Sequence, residues 1–61
     1  MKLHEVWHEG AWIQHPKTGA LVVTSGELAI SLVDPSEGFH EQRDIEERYP
    51  DGWEYHPRSP R

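Results

Sequence analysis

Residues 11–24, AWIQHPKTGALVVT, decide the fold, because they have the composition of a β-hairpin folded over the turn at residues 16–19. Pro16 fixes φ near the value that the turn requires, and Gly19 can adopt the positive φ that lets the second strand leave in register. The residues on both sides of the turn are mostly β-branched or aromatic, as strands favour. We therefore predict two antiparallel strands joined by a tight turn.

A further strand is predicted on each side of this hairpin. Upstream, residues 3–8, LHEVWH, precede a Glu-Gly pair that can form a tight turn. Downstream, a turn at residues 25–26 leads into residues 27–33, ELAISLV, in a register that places Val23 opposite Leu28. The four segments together predict a β-meander.

Residues 24–33 also fit a short helix, because Thr24 and Glu27 have capping-box spacing. Gly26 would lie in the first turn of that helix, and Ile30 is β-branched. Both features favour the strand.

The following segment predicts one helix over residues 35–49. Asp34 is a suitable N-cap and proline occupies the first helical position, although Gly38 weakens the first turn and predicts a later start of the regular helix. The helix ends before Pro50. Trp53 then belongs to a short extended segment and is expected to close the core beside the helix.

The predicted fold class is thus α+β: a small antiparallel meander of about four strands, packed by one C-terminal helix, with a short terminal extended segment. Residues 1–57 form a single small domain, and residues 58–61 a flexible tail with nothing to bury.

Alternation along the strands sorts the side chains of the N-terminal half into two apolar faces. The helix is expected to cover the tryptophan-bearing face, which becomes the core: Leu3, Trp7, Trp12, Leu21, Val23, Leu28, Ile30 and Leu32. One helix cannot cover both faces, and a contiguous exposed apolar row usually marks an interface. We therefore predict that the opposite face binds another protein, through Val6, Ile13, Val22, Ala29, His4 and His15.

Five histidines in 61 residues are an excess, and His4, His8 and His15 fall on one predicted face. If residues 3–8 are a strand, His4 lies opposite His15, and the two imidazoles could share a metal ion with a carboxylate or water. The spacing matches no zinc motif, so the main interpretation is exposed or interface histidines and no cofactor.

Composition limits the remaining functions. Eleven acidic and six basic residues give a net charge of −5, which argues against binding to nucleic acid or to an anionic membrane surface. There is no cysteine, so no disulfide can form and the redox compartment is left open. No apolar run is long enough to span a membrane and there is no signal-peptide core, so we expect a soluble protein that is cytoplasmic when made. No serine lies in a nucleophile motif and no glycine-rich phosphate loop is present, so we do not expect an enzyme.

The segments WIQHPKTG, residues 12–19, and DGWE, residues 51–54, resemble short proteins of tailed bacteriophages. In those proteins a similar hairpin is followed by a short helix and a terminal GWE, and many are encoded among head and tail genes. This chain differs in its additional segment, residues 28–49. The resemblance implies a component of the virion or of its assembly, and transfers no functional residue.

The predicted function is a non-catalytic protein-interaction module. It would be a structural or accessory subunit of a larger assembly such as a phage particle, with itself or another protein as partner. The alternatives are an acidic inhibitor or regulator that docks on a host enzyme through residues 41–47, and a histidine-based metal-binding module.

Overall fold

The hairpin of residues 11–24 is the centre of the structure. The computed structural model describes residues 1–59 and builds a single antiparallel sheet of five strands in them. This confirms the α+β class, with one strand more than expected. In chain order the elements are α1 (Leu3–Val6), β1 (Trp12–His15), β2 (Ala20–Ser25), β3 (Leu28–Ser31), a 3₁₀ turn (Pro35–Glu37), β4 (Phe39–Glu41), α2 (Gln42–Arg48) and β5 (Glu54–Tyr55). The strand order in the sheet is β4-β3-β2-β1-β5.

The β1–β2 hairpin has the predicted turn. Gly19 has a φ of +77°, and its amide donates a hydrogen bond of 2.8 Å to the carbonyl of His15. Trp12 lies opposite Val23, and His15 lies opposite Ala20. The hairpin prediction is confirmed.

Residues 28–31 form strand β3, so the strand is confirmed over the helix. The register differs from the prediction by two residues, since Val23 lies opposite Ile30 and not opposite Leu28. The reason is Gly26, which has a φ of +62° and takes the first position of the two-residue loop, where a positive φ is required. A shift of two residues keeps every side chain on its predicted face.

The N-terminal strand prediction is wrong, because Leu3–Val6 is the one-turn helix α1. The backbone amide of Lys2 donates to the Glu5 carboxylate at 2.8 Å, which satisfies one of the amides left free at a helix start. Leu3 and Val6, three residues apart, lie on one side of the turn and are both fully buried. The edge of β1 is instead paired with β5.

The predicted helix of residues 35–49 is divided into three pieces. A 3₁₀ turn comes first, Gly38 then adopts a φ of +79°, and β4 pairs with β3 before α2 begins at Gln42. A residue with positive φ interrupts a right-handed helix, so the chain leaves the 3₁₀ turn as an extended strand.

The core lies on the sheet face opposite to the one predicted. Both α-helices direct apolar side chains onto the face that carries Ala11, Thr24 and Ala29. Trp53 fills the centre and is 1% exposed, as predicted for the residue that closes the core, and its indole N–H donates to the Tyr49 carbonyl at 2.6 Å. The buried apolar residues are Leu3, Val6, Ala11, Ile13, Val22, Ala29 and Trp53.

The segment predicted as a tail begins beside β1. The amide of Trp12 donates to the Ser59 hydroxyl at 3.4 Å. The rest of that segment, Pro60 and Arg61, lies outside the described residues.

Candidate interaction surface

The sheet face away from both helices carries a row of large apolar side chains. Phe39, Ile30, Val23 and Trp12 are cross-strand partners of one another from β4 to β1, so their side chains stand side by side on one face. Leu21, Leu28 and Leu32 flank the row on the same face, as alternation requires. We call these seven residues the open face.

The open face is accessible to solvent although its members are apolar. Phe39 is 63% exposed and Leu28 is 40% exposed, while the other five residues are half-buried by their neighbours. The ring of His56 lies against Trp12 with the ring centroids 5.8 Å apart. Because α1 and α2 both pack on the other face, no helix within residues 1–59 shields the row.

Acidic residues border the open face. Glu41 lies opposite Leu28 in the β3–β4 ladder, and the corner beyond this pair is a groove of about 650 Å³. The only ion pair there joins the Arg43 Nε and the Glu41 carboxylate at 2.8 Å, among the residues that the structure describes. We call this groove the acidic corner; it is lined by Glu27, Leu28, Glu41, Gln42, Arg43 and Glu46.

The residues predicted to form the interface lie elsewhere. Val6, Ile13, Val22 and Ala29 are buried in the chain's own core, each at most 5% exposed, so the expectation that their face is uncovered is wrong. The prediction failed because α1, Trp53 and α2 together cover that face. Alternation identified the two faces, but it did not show which of them the helices would cover.

His15 is a core residue. It is 5% exposed, its ring meets the edge of Trp53 with the centroids 5.2 Å apart, and it lies 5.4 Å from the ring of Tyr49. Nε2 donates to the Asp51 carbonyl at 2.8 Å, because a carbonyl can only accept. Nδ1 is buried and has no hydrogen-bond partner. In the neutral ring Nδ1 therefore carries the lone pair.

The three candidate metal ligands have different surroundings. His4 is exposed on α1, since residues 3–6 are not a strand and the expected pairing with His15 does not form. His8 stacks on Tyr55 with the centroids 6.1 Å apart. Within residues 1–59, no three histidine, aspartate or glutamate side chains are grouped closely enough to hold a metal ion.

A second groove, of about 170 Å³, lies between α2 and the core face of the sheet. Its apolar residues include Ile45 and Trp53, and His40 and Glu37 at its border form a contact of 3.1 Å. Ligand pockets usually enclose at least about 300 Å³, so this groove is smaller than a typical small-molecule site.

The sequence did not predict that Phe39 belongs to the open face. Phe39 lies within the helix predicted over residues 35–49, whereas in the structure it is the outermost member of the apolar row. The signal was Gly38, which separates Phe39 from the preceding turn and lets residues 39–41 alternate across the sheet.

Comparisons with known proteins give no relative. No family model matches the chain, and no curated protein or solved structure is significantly similar to it. Over residues 1–59, no helix has the length and apolar character needed to cross a membrane.

Proposed function

We propose that the chain is a non-catalytic protein-interaction module that binds its partner through the open face. The observation that supports this is the row of Trp12, Val23, Ile30 and Phe39, which crosses four strands without a covering helix. Contiguous apolar surface of this kind usually marks a binding site. Aromatic residues at its two ends are the side-chain type that contributes most to protein interfaces.

The energetics of the row fit a docking surface. Burying a large apolar side chain completely contributes about 1.5–3 kcal/mol, and Phe39 still exposes 63% of its surface, so most of its contribution becomes available only on binding. Trp12, Val23 and Ile30 retain smaller exposed fractions. A partner that covers all four residues therefore buries several apolar side chains at once, and each burial adds to the free energy of binding.

The setting that we propose is a larger assembly such as a phage particle. Support comes from the resemblance of residues 12–19 and 51–54 to short proteins of tailed bacteriophages. An acidic inhibitor or regulator that docks on a host enzyme is the second candidate, favoured by the carboxylates of the acidic corner.

Site-specific photo-cross-linking in cells that make the protein tests this proposal. A photoreactive phenylalanine analogue replaces Phe39 on the open face or, as a control, Glu47 on the exposed surface of α2. We expect a discrete cross-linked product from position 39 that the additional change Val23→Asp removes. Equal products from both positions, or a product that survives Val23→Asp, would contradict the proposal. Mass spectrometry of the product shows whether the partner is a component of a particle.

A further inference from the structure

We infer that the partner of the open face is a different protein, whose docking surface has an apolar centre and Lys or Arg residues at its border. This inference rests on the proposed function and specifies the chemistry of the partner. Two observations carry it: the size of the open face, and the sign of the charge around it.

The size of the face requires the partner to reach its border. A standard interface takes about 800 Å² from each partner, which is about a fifth of the 4118 Å² surface of this chain. The molecule measures 24 × 24 × 21 Å, so one entire side supplies about that fraction. The apolar row crosses four of the five strands as a single line of side chains. A stable contact must therefore include the residues around the row.

Two parts of the border are negatively charged. The acidic corner contains Glu27, Glu41 and Glu46 against the single cation Arg43, which is already paired with Glu41. At the opposite edge of the sheet, Glu54 lies opposite Gln14 on the same face. Within residues 1–59 the Glu54 carboxylate has no cation within ion-pair distance.

The charge argues against a second copy as the occupant. Two copies would bring acidic borders together on chains that each carry a net charge of −5, and like charges across an interface oppose association. A partner with Lys or Arg at the border would instead gain attraction at the acidic corner, while its apolar centre covers the row. Electrostatic complementarity thus favours a different, basic surface.

Peptides selected on the purified chain provide the probe. Random linear peptides are enriched on the wild-type chain after removal of those that bind the Val23→Asp variant. We expect the enriched peptides to combine apolar residues with Lys or Arg. Phe39→Ala serves as a second face variant in case Val23→Asp lowers the melting temperature, because Phe39 is mostly exposed and its loss leaves the core intact.

Two neighbouring carboxylates then test the charge. Glu46 lines the acidic corner, whereas Glu47 on the same helix is exposed outside it. For an enriched peptide, Glu46→Gln should lower the affinity about two- to fivefold, as expected for an exposed ion pair. It should also reduce the decrease of affinity with salt. Glu47→Gln should change neither quantity.

The possible results separate the inference from the proposed function. Enriched peptides without Lys or Arg, or equal effects of Glu46→Gln and Glu47→Gln, would overturn the inference, while loss of binding in the face variants would still support the proposed function. If no peptide distinguishes the wild-type chain from both face variants, the proposed function fails and the inference with it. A dimer in sedimentation that Phe39→Ala converts to a monomer would assign the face to a second copy and overturn the inference.

Discussion

Replacing Gly52 with alanine perturbs the position of His15 beneath the sheet. A Cβ atom on Gly52 would lie 2.8 Å from Nε2 of His15, well inside van der Waals contact. The imidazole cannot move aside freely, because it is 5% exposed and packed against Trp53 and Tyr49. Gly52 also has a φ of +93°, which an alanine adopts only with strain.

The expected loss of stability has two parts. The positive φ costs alanine about 1–2 kcal/mol. Displacement of the ring breaks the hydrogen bond from His15 to the Asp51 carbonyl. It leaves buried polar atoms without partners, which costs about 1–3 kcal/mol. The sum is about 2–5 kcal/mol. This is a large part of the free energy of unfolding expected for a domain of 61 residues, which is about 3–9 kcal/mol.

Urea unfolding followed by tryptophan fluorescence measures this loss. Gly19→Ala is the matched control, because Gly19 has a φ of +77° but its added Cβ would meet no atom within 4 Å. We expect the control to lose only the about 1–2 kcal/mol of backbone strain. In a His15→Ala background, Gly52→Ala should cost no more than the control. Equal losses for Gly52→Ala and Gly19→Ala in the wild-type background would refute the proposed contact.

Two further changes test the core. Ile13→Ala removes a fully buried side chain and should lower the free energy of unfolding by about 2–5 kcal/mol. Ile30→Ala on the open face should lower it by only about 1 kcal/mol. If urea denaturation shows the larger loss for Ile30→Ala, the core lies on the other face. Thr24→Val keeps the shape of a buried side chain but removes the hydroxyl that donates to the His8 carbonyl and accepts from the Ala11 amide. It should lower the melting temperature, with a loss of about 1–3 kcal/mol, and an unchanged thermal transition would contradict that role of the hydroxyl.

Local sequence features predicted the central part of the fold. The turn ending in Gly19 fixed the first hairpin, and the β-branched composition of residues 27–33 favoured a strand. Alternation then assigned side chains correctly to two faces of β1, β2 and β3, even though the β2–β3 register was two residues off. These features depend only on residues close together in the sequence, so they can be predicted without knowledge of the tertiary structure.

The choice of the buried face could not be read in the same way. It depends on where α1, α2 and Trp53 come to rest, and these contacts join residues far apart in the chain. Residues 3–8 contain both strand-forming residues and the helical spacing of Leu3 and Val6, and only burial decides between them. For this reason the open face lies on the side of the sheet opposite to the predicted interface. The sequence predicts one helix over one face, whereas α1, α2 and Trp53 together cover the face predicted to be open, and the apolar row lies on the other.

The pairing of β5 with β1 has a consequence for the order of folding. Glu54 and Gln14 are partners across 40 residues of chain, whereas β1 to β4 join through short connections. Closing so long a loop costs about 2 kcal/mol more than closing a four-residue turn, so we expect the last strand to dock late. Until then Trp53 is not packed in the core, and the partly folded sheet exposes apolar side chains on both faces. The interval before docking is when this chain is most prone to aggregate.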